Sequence, residues 1–303
     1  MGKKTNSFFV NLVEETMIQK LDFEYFKGQE RLKKRFLEYL IYYKNRKEKF
    51  PNTLLIGSPG QGKTTFAEIL MQEIMNYWHA LPVIIDSSWD VSKIREILKV
   101  DDELIGNFFR YVVFIDEIHK LKGVEGIFDI WDNPTIIFIG ATTKESLLDK
   151  AFLSRFKIVE FFQDYNKEEL ISILKENASD LNIGDLVFNR ITECVTNVRN
   201  AISLLDQVKV LKVNHPELND EELWKKTLSL MDLDENGLDY RQRKYLEILK
   251  EYGEIAVKNI ASLLKTTEEN VEEMIEPLLL RKKLITITSK GRSLRNNYEG
   301  EKI

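Results

Sequence analysis

Residues 57–64 read Gly57-Ser58-Pro59-Gly60-Gln61-Gly62-Lys63-Thr64, and this octet with its flanks constrains the fold more than any other feature of the chain. A short apolar run, Thr53-Leu54-Leu55-Ile56, precedes it, and a helical pattern from Thr64 to Tyr77 follows. A loop of G-x-x-x-x-G-K-[ST] spacing between a strand and a helix curls so that successive backbone N–H groups point inward. The positive end of the following helix adds to that field, so the segment is built to cradle phosphate oxygens. Lys63 would reach the β- and γ-phosphates as a point charge, and the Thr64 hydroxyl is placed to ligate Mg²⁺. Gly57 to Thr65 then form the binding set for ATP, with Thr65 the next residue of the helix.

The chemical complement lies some fifty residues on, where Val112-Val113-Phe114-Ile115 runs into Asp116-Glu117. An apolar strand ending in two acids puts carboxylates at the carboxyl edge of a sheet, where ligands of α/β folds bind. Asp116 is expected to hold Mg²⁺ with Thr64, and Glu117 to orient and activate the attacking water.

Apolar runs of the same kind recur at Val83-Ile84-Ile85, Tyr111 to Ile115 and Thr135 to Ile139, separated by helical stretches such as Val91 to Val100. Runs apolar on both faces predict strands covered on both sides, hence a doubly wound parallel sheet. The strand signal stops after residue 160. Lys167 to Ala178, Leu186 to Cys194 and Val198 to Val213 have helical spacing and predict a small helical domain. Three further helices, Arg241 to Tyr252, Val257 to Leu264 and Glu268 to Arg281, lead to a strand-turn pattern at Leu284 to Gly291, the outline of a winged helix. The expected division is an α/β nucleotide-binding domain over 1–160, a helical lid over 161–232 and a winged helix over 233–303.

Composition narrows the class. Of 303 residues 43% are apolar and 31% charged, which excludes a disordered or collagen-like chain. No run of 18 apolar residues predicts a membrane span, and the polar start after Lys3-Lys4 lacks an apolar signal core. One cysteine and three histidines leave little for a disulfide or a zinc site. The chain is expected to be cytoplasmic. The formal net charge of −5 hides two basic islands, +6 over Lys27 to Lys49 and +5 over Arg281 to Ile303.

With both motifs in place the sequence resembles the AAA+ ATPases, and within them the RuvB-type motors of Holliday-junction branch migration, from about Asp22 to Arg295. Asp22-Phe23-Glu24-Tyr25-Phe26-Lys27-Gly28-Gln29 is similar to the family's entry segment, which packs near the adenine. Ile115 to Leu121 and Ile139-Gly140-Ala141-Thr142-Thr143 are similar to RuvB stretches. The resemblance implies a sensor-1 role for Thr142 or Thr143, an arginine finger at Arg155 in Ser154-Arg155-Phe156, and a sensor-2 role for Arg199 in Val198-Arg199-Asn200-Ala201. A finger acting on a neighbour implies a homo-oligomer, in this family a hexameric ring. Leu238 to Leu246, Ile275-Glu276-Pro277 and Gly291-Arg292 resemble the family's winged helix.

One departure stands out. RuvB proteins carry a β-hairpin between the Asp-Glu strand and the sensor-1 strand that docks on the partner RuvA. Here only the seventeen residues Ile118 to Pro134 intervene, and one helix through Asp129 is expected to use most of them. A protein partner other than a standard RuvA is therefore expected.

Asp232-Leu233-Asp234-Glu235-Asn236-Gly237 imitates the first half of a calcium loop, but Arg243 stands where a bidentate Glu is required. It reads as a linker. The third winged-helix helix carries Glu268, Glu269, Glu272, Glu273 and Glu276, with Thr266 and Glu269 spaced as a capping box, and Pro277 is expected to kink or end it. Carboxylates repel phosphates, so DNA contact is expected at the wing instead, from Lys290, Arg292 and Arg295, directed at the backbone. The leading expectation is an ATP-hydrolysing oligomeric DNA motor acting on duplex or branched DNA in recombination or repair. The competing ones are an ATP-switched loader of a helicase, clamp or recombinase, and a DNA-binding regulator gated by ATP.

Overall fold

The computed structural model describes residues 23, 26–98 and 111–295. Of the expected features, Asp22, Glu24 and Tyr25 of the entry segment and the last two residues of the Val91–Val100 helix lie outside them. The chain divides after Tyr165 into two compact units.

The first unit runs α1 (Glu30–Arg46), β1 (Thr53–Ile56), α2 (Lys63–Trp78), β2 (Leu81–Ile85), α3 (Val91–Leu98), β3 (Tyr111–Ile115), α4 (Phe128–Trp131), β4 (Ile136–Thr142), α5 (Lys150–Leu153) and β5 (Ile158–Phe161). The five strands are all parallel, in the order β2-β3-β4-β1-β5. Alternate side chains of each strand feed opposite faces. Val112 and Phe114 of β3 join Phe66, Leu70 and Ile74 of α2 on one side, while Val113 and Ile115 join Phe138 and Trp131 on the other. Trp131 anchors the second face: its ring stacks on Phe138 at 3.9 Å and meets Phe152 and Phe156 edge-on. Truncating so enclosed a ring costs about 3–5 kcal/mol.

Val83-Ile84-Ile85 does form a strand, but the expectation that both of its faces are covered fails. β2 is an edge strand, and Leu81 and Ile84 stand exposed. The segment between β3 and β4 also differs from the single helix expected. It makes 3₁₀ turns at Ile118–Lys120 and Val124–Ile127 before the one turn of α4, with no strand among residues 118–134. Gly123 causes the break, adopting φ +67° where a helix cannot continue.

In the second unit, α6 (Lys167–Asn177), α7 (Asp185–Cys194), α8 (Val198–Asn214) and α9 (Asp220–Leu230) enclose Leu174, Val187, Ile191, Leu205, Leu223 and Trp224. α9 was not anticipated, although Asn219 and Glu222 form a reciprocal capping box at its start. After it, Asp234 Oδ1 accepts from the N–H groups of Asn236 and Leu238, turning the linker back toward α10 (Tyr240–Tyr252). α10 packs with α11 (Val257–Leu263) and a broken third helix around Tyr245, Leu249, Ile260, Val271 and Leu279.

That third helix corrects one expectation and narrows another. Its cap is Thr267, whose hydroxyl accepts from the Asn270 N–H, one residue beyond the box read from the sequence. Of the two outcomes expected at Pro277, a kink or an end, the helix does not end there, and its irregular turn lies directly ahead of the proline. The short α12 (Glu268–Asn270) widens into a π-turn, Val271–Ile275, closed by the Glu276 N–H on the Val271 carbonyl, and α13 (Glu276–Arg281) continues with Pro277 in its first turn. A proline ring is tolerated in a first turn, where its missing N–H is not needed. Antiparallel β6 (Ile285–Ile287) and β7 (Arg292–Leu294) form the wing.

Candidate functional site

The phosphate loop leaves β1 at Ile56 and enters α2 at Lys63, as the spacing predicts. Gly62 has φ +86°, and a Cβ on it would press to 3.1 Å from the Phe26 ring and 3.3 Å from the Tyr165 hydroxyl. Ser58 and Pro59 crest the loop in solvent, and Thr65 is exposed on the first turn of α2. Lys63 Nζ lies across the loop, donating to the carbonyls of Gly57 (2.7 Å) and Ser58 (3.0 Å). Gln61 binds the loop to the end of this unit: its Nε2 donates to Asp164 Oδ1 at 2.6 Å, and its carbonyl accepts from the Tyr165 hydroxyl at 3.1 Å.

Thr64 Oγ1 donates to Asp116 Oδ2 at 2.9 Å, so helix and strand bring the two expected metal ligands together. A hydroxyl and a carboxylate are the hard oxygen donors that Mg²⁺ takes alongside phosphates and water, and the pair fits that ion. Glu68, one turn further along α2, is a residue that motif reading missed; burial and then the neighbouring Asp116 push its carboxyl up. Its signal was only the i,i+4 spacing from Thr64.

Glu117 leaves β3 in a left-handed conformation, φ +46° and ψ +49°, with its N–H on Asp116 Oδ1 at 2.9 Å. A non-glycine residue held there stores on the order of 1–3 kcal/mol. Its Oε2 accepts from the Thr143 N–H (3.1 Å) and hydroxyl (2.9 Å). Thr142, fully buried at the end of β4, meets His119 Nδ1 at 2.9 Å. Lys63, Thr64, Asp116, Glu117, Thr142 and Thr143 thus converge at the carboxyl edge of β1, β3 and β4.

Arg155 is elsewhere. Its carbonyl lies 3.4 Å from the Asn52 amide nitrogen, just ahead of β1, which places it at the amino edge of the sheet. The length of β1, about 13 Å of strand, separates that edge from the loop. Arg199 is exposed on the first turn of α8, whose cap is Asn197.

The wing carries a correction. Lys290 and Arg295 are exposed, but Arg292 is not a surface cation. Its Nε donates to Glu276 Oε1 at 2.9 Å and its Nη2 to Glu272 Oε1 at 2.7 Å, with 13% of the side chain exposed. In the first basic island four of the nine cations are paired, Lys33 with Glu30, Arg35 with Glu160, Lys44 with Glu73 and Arg46 with Glu48.

Two family models match the chain: the ATPase family associated with various cellular activities (AAA) over residues 53–164, and the RuvB C-terminal winged helix domain over 235–297. Among curated relatives, the Holliday junction branch migration complex subunit RuvB of Thermotoga maritima is 31% identical over 88% of this chain and 86% of its own length. The same subunit of Campylobacter lari is 30% identical over 92% and 89%. The chain belongs to the RuvB family. The solved Thermotoga maritima RuvB Holliday junction branch migration motor superposes with a TM-score of 0.76 at 29% identity, covering 91% of this chain and 94% of that one. As a RuvB-family ATPase the chain binds nucleotide, and the loop and the Asp-Glu strand end both fall within its matched AAA segment. Among the described residues, no helix is long and apolar enough to cross a membrane.

Proposed function

We propose that the chain is an oligomeric DNA motor that hydrolyses Mg-ATP and acts on duplex or branched DNA in recombination or repair. The observation that carries this reading is the joining of Thr64, Asp116, Glu117 and Thr143 by hydrogen bonds at one sheet edge, in a chain matching RuvB relatives over nearly its whole length. The loop N–H groups and Lys63 would hold the phosphates, and Thr64 and Asp116 would hold Mg²⁺, which would supply charge neutralisation at the phosphates. Glu117 orients the attacking water, Thr142 and Thr143 sense the γ-phosphate from β4, and Arg199 serves as sensor 2. Arg155, at the opposite sheet edge, acts on the nucleotide of a neighbouring copy in a ring, six copies being the family expectation. The division into domains 1–160, 161–232 and 233–303 accompanies these roles, and Lys290 and Arg295 contact the DNA backbone. A cytoplasmic location fits such work.

The absence of any strand among residues 118–134 favours one modification: the protein partner is not a standard RuvA. It also keeps a second reading in view, an ATP-switched loader of another DNA-processing enzyme. The test is the ATPase rate with no DNA, with duplex and with a four-way junction, alongside displacement of the junction's strands. Junction-stimulated turnover with displacement supports the motor; ATP-dependent assembly without displacement supports the loader. Lys63→Ala should lose nucleotide binding, and Glu117→Gln should bind ATP but not turn it over. Turnover persisting in Glu117→Gln sinks the assignment of that carboxylate.

A further inference from the structure

We propose that His119 is a positioning residue for hydrolysis, locking the Glu117 carboxylate to the sensor strand so that one oxygen faces the attacking water; this rests on the reading of Glu117 as the water-activating group. His119 lies in the 3₁₀ turn that follows β3, its side chain 6% exposed. Nδ1 is 2.9 Å from Thr142 Oγ1 and 3.2 Å from Glu117 Oε2. An ionised carboxylate can only accept, so its closeness favours the tautomer with the proton on this ring nitrogen. That N–H is directed at the Thr142 hydroxyl oxygen, which also accepts from the Lys144 N–H at 3.0 Å, and its positive end lies beside Glu117 Oε2.

The direction of these bonds matters. Among the described residues, the hydrogen bonds to the Glu117 carboxylate come from the Thr143 N–H and hydroxyl, both on Oε2, and His119 Nδ1 stands 3.2 Å from the same oxygen. Oε1 is the oxygen left to meet a water in the partly open site. Two donors and the His119 ring against one oxygen also restrain the side-chain torsions of a residue whose backbone is left-handed. Because two of these partners follow directly from β4, a shift of that strand's end moves Oε1. His119 thereby makes the base and the sensor one hydrogen-bonded unit, the arrangement by which a base is oriented through a third group.

Removing a support of this kind misplaces the base without touching the phosphates, and an ångström of misplacement costs about 100-fold in rate. The experiment measures steady-state kcat and nucleotide affinity for His119→Ala, His119→Asn and His119→Gln, with Glu117→Gln and the double variant measured by single turnover. His119→Ala should lower kcat by about 100-fold with nucleotide affinity unchanged. His119→Asn, whose amide nitrogen can stand where Nδ1 does, should recover most of the loss; His119→Gln, whose amide reaches the Nε2 position, should not. In the Glu117→Gln background, His119→Ala should cause no further loss. The proposal is overturned if kcat is unchanged in His119→Ala, if Asn and Gln behave alike, or if the two losses multiply. Should His119→Ala fail to fold, the Asn and Gln pair decides. If Glu117→Gln itself turns over ATP, the parent reading has failed; if it is inactive while His119→Ala is not, only the role of His119 has.

Discussion

The guanidinium of Arg155 lies 3.6 Å from the centroid of the Phe128 ring. Its Nη1 donates to the Ala151 carbonyl at 2.8 Å, and its Nε is 3.6 Å from Asp132 Oδ1. In a single chain the group is thus folded back on its own surface. A cation–π contact of this kind is worth about 0.5–2 kcal/mol, and the exposed acid adds little. In the proposed finger role, a triphosphate on a neighbouring copy would outweigh both.

Arg155→Ala should therefore lower hydrolysis by about 10³-fold or more, the range of arginine fingers, and leave nucleotide binding intact. Mixing it with Lys63→Ala should restore part of the activity, since a wild-type Lys63 site would then meet a wild-type Arg155. ATPase assays on the mixture check this; mixtures that stay inactive count against action between copies.

The wing separates two kinds of arginine. Neutralising Lys290 and Arg295 should weaken DNA binding about equally for all sequences and flatten its salt dependence by about one unit per lost phosphate contact. Arg292→Ala should instead destabilise the fold, since removing one partner of a buried pair costs about 3–5 kcal/mol. Fluorescence anisotropy across a salt series and denaturant melts, run on the same variants, distinguish them.

Tyr245 gives that wing an alkaline limit. It is 0% exposed and donates to Glu276 Oε1 at 2.8 Å, the same oxygen that Arg292 reaches. Burial, then the bond to Glu276, push the phenol far above its ordinary 10.0. The folded chain therefore keeps a proton that the unfolded chain gives up, and stability present below pH 10.0 falls as pH rises past it. Thermal melts should fall more steeply above that pH in the wild type than in Tyr245→Phe, which itself costs about 1–3 kcal/mol at neutral pH.

Lys49 has the opposite slope. Burial, partly offset by Asp132, lowers its ammonium from 10.5 to about 8, and Nζ donates to the Asn133 carbonyl at 2.9 Å. Between about 8 and 10.5 the unfolded chain holds the proton and the folded chain does not, so stability rises with pH across that window. Lys49→Met should lack this rise. Its melting temperature relative to the wild type should drop steadily as pH increases from about 8 to 10.5.

What could be read from residue order was what local pattern encodes. β1, β3 and β4 announce themselves as unbroken apolar runs, and the phosphate loop as fixed spacing. The exposure of Ile84 could not be read, because being at a sheet edge depends on strand order, which periodicity does not carry. α9 escaped because only Leu223, Trp224 and Thr227 of its eleven residues are buried, too few to mark a stripe. The surroundings of His119 and Arg292 are hidden from sequence pattern for a related reason: their partners lie up to 23 and 20 residues away. The sign of a charge is visible in a sequence, whereas its counter-ion is set by packing.

The left-handed turn at Glu117 has an evolutionary corollary. Glycine, asparagine and aspartate occupy that backbone region at little cost, and glutamate does not. A descendant of this chain released from the need to split ATP would gain stability by replacing Glu117 with one of those shorter residues. An asparagine or glycine directly after the strand-terminal aspartate, in an otherwise intact phosphate-loop domain, would therefore be the scar of a retired motor.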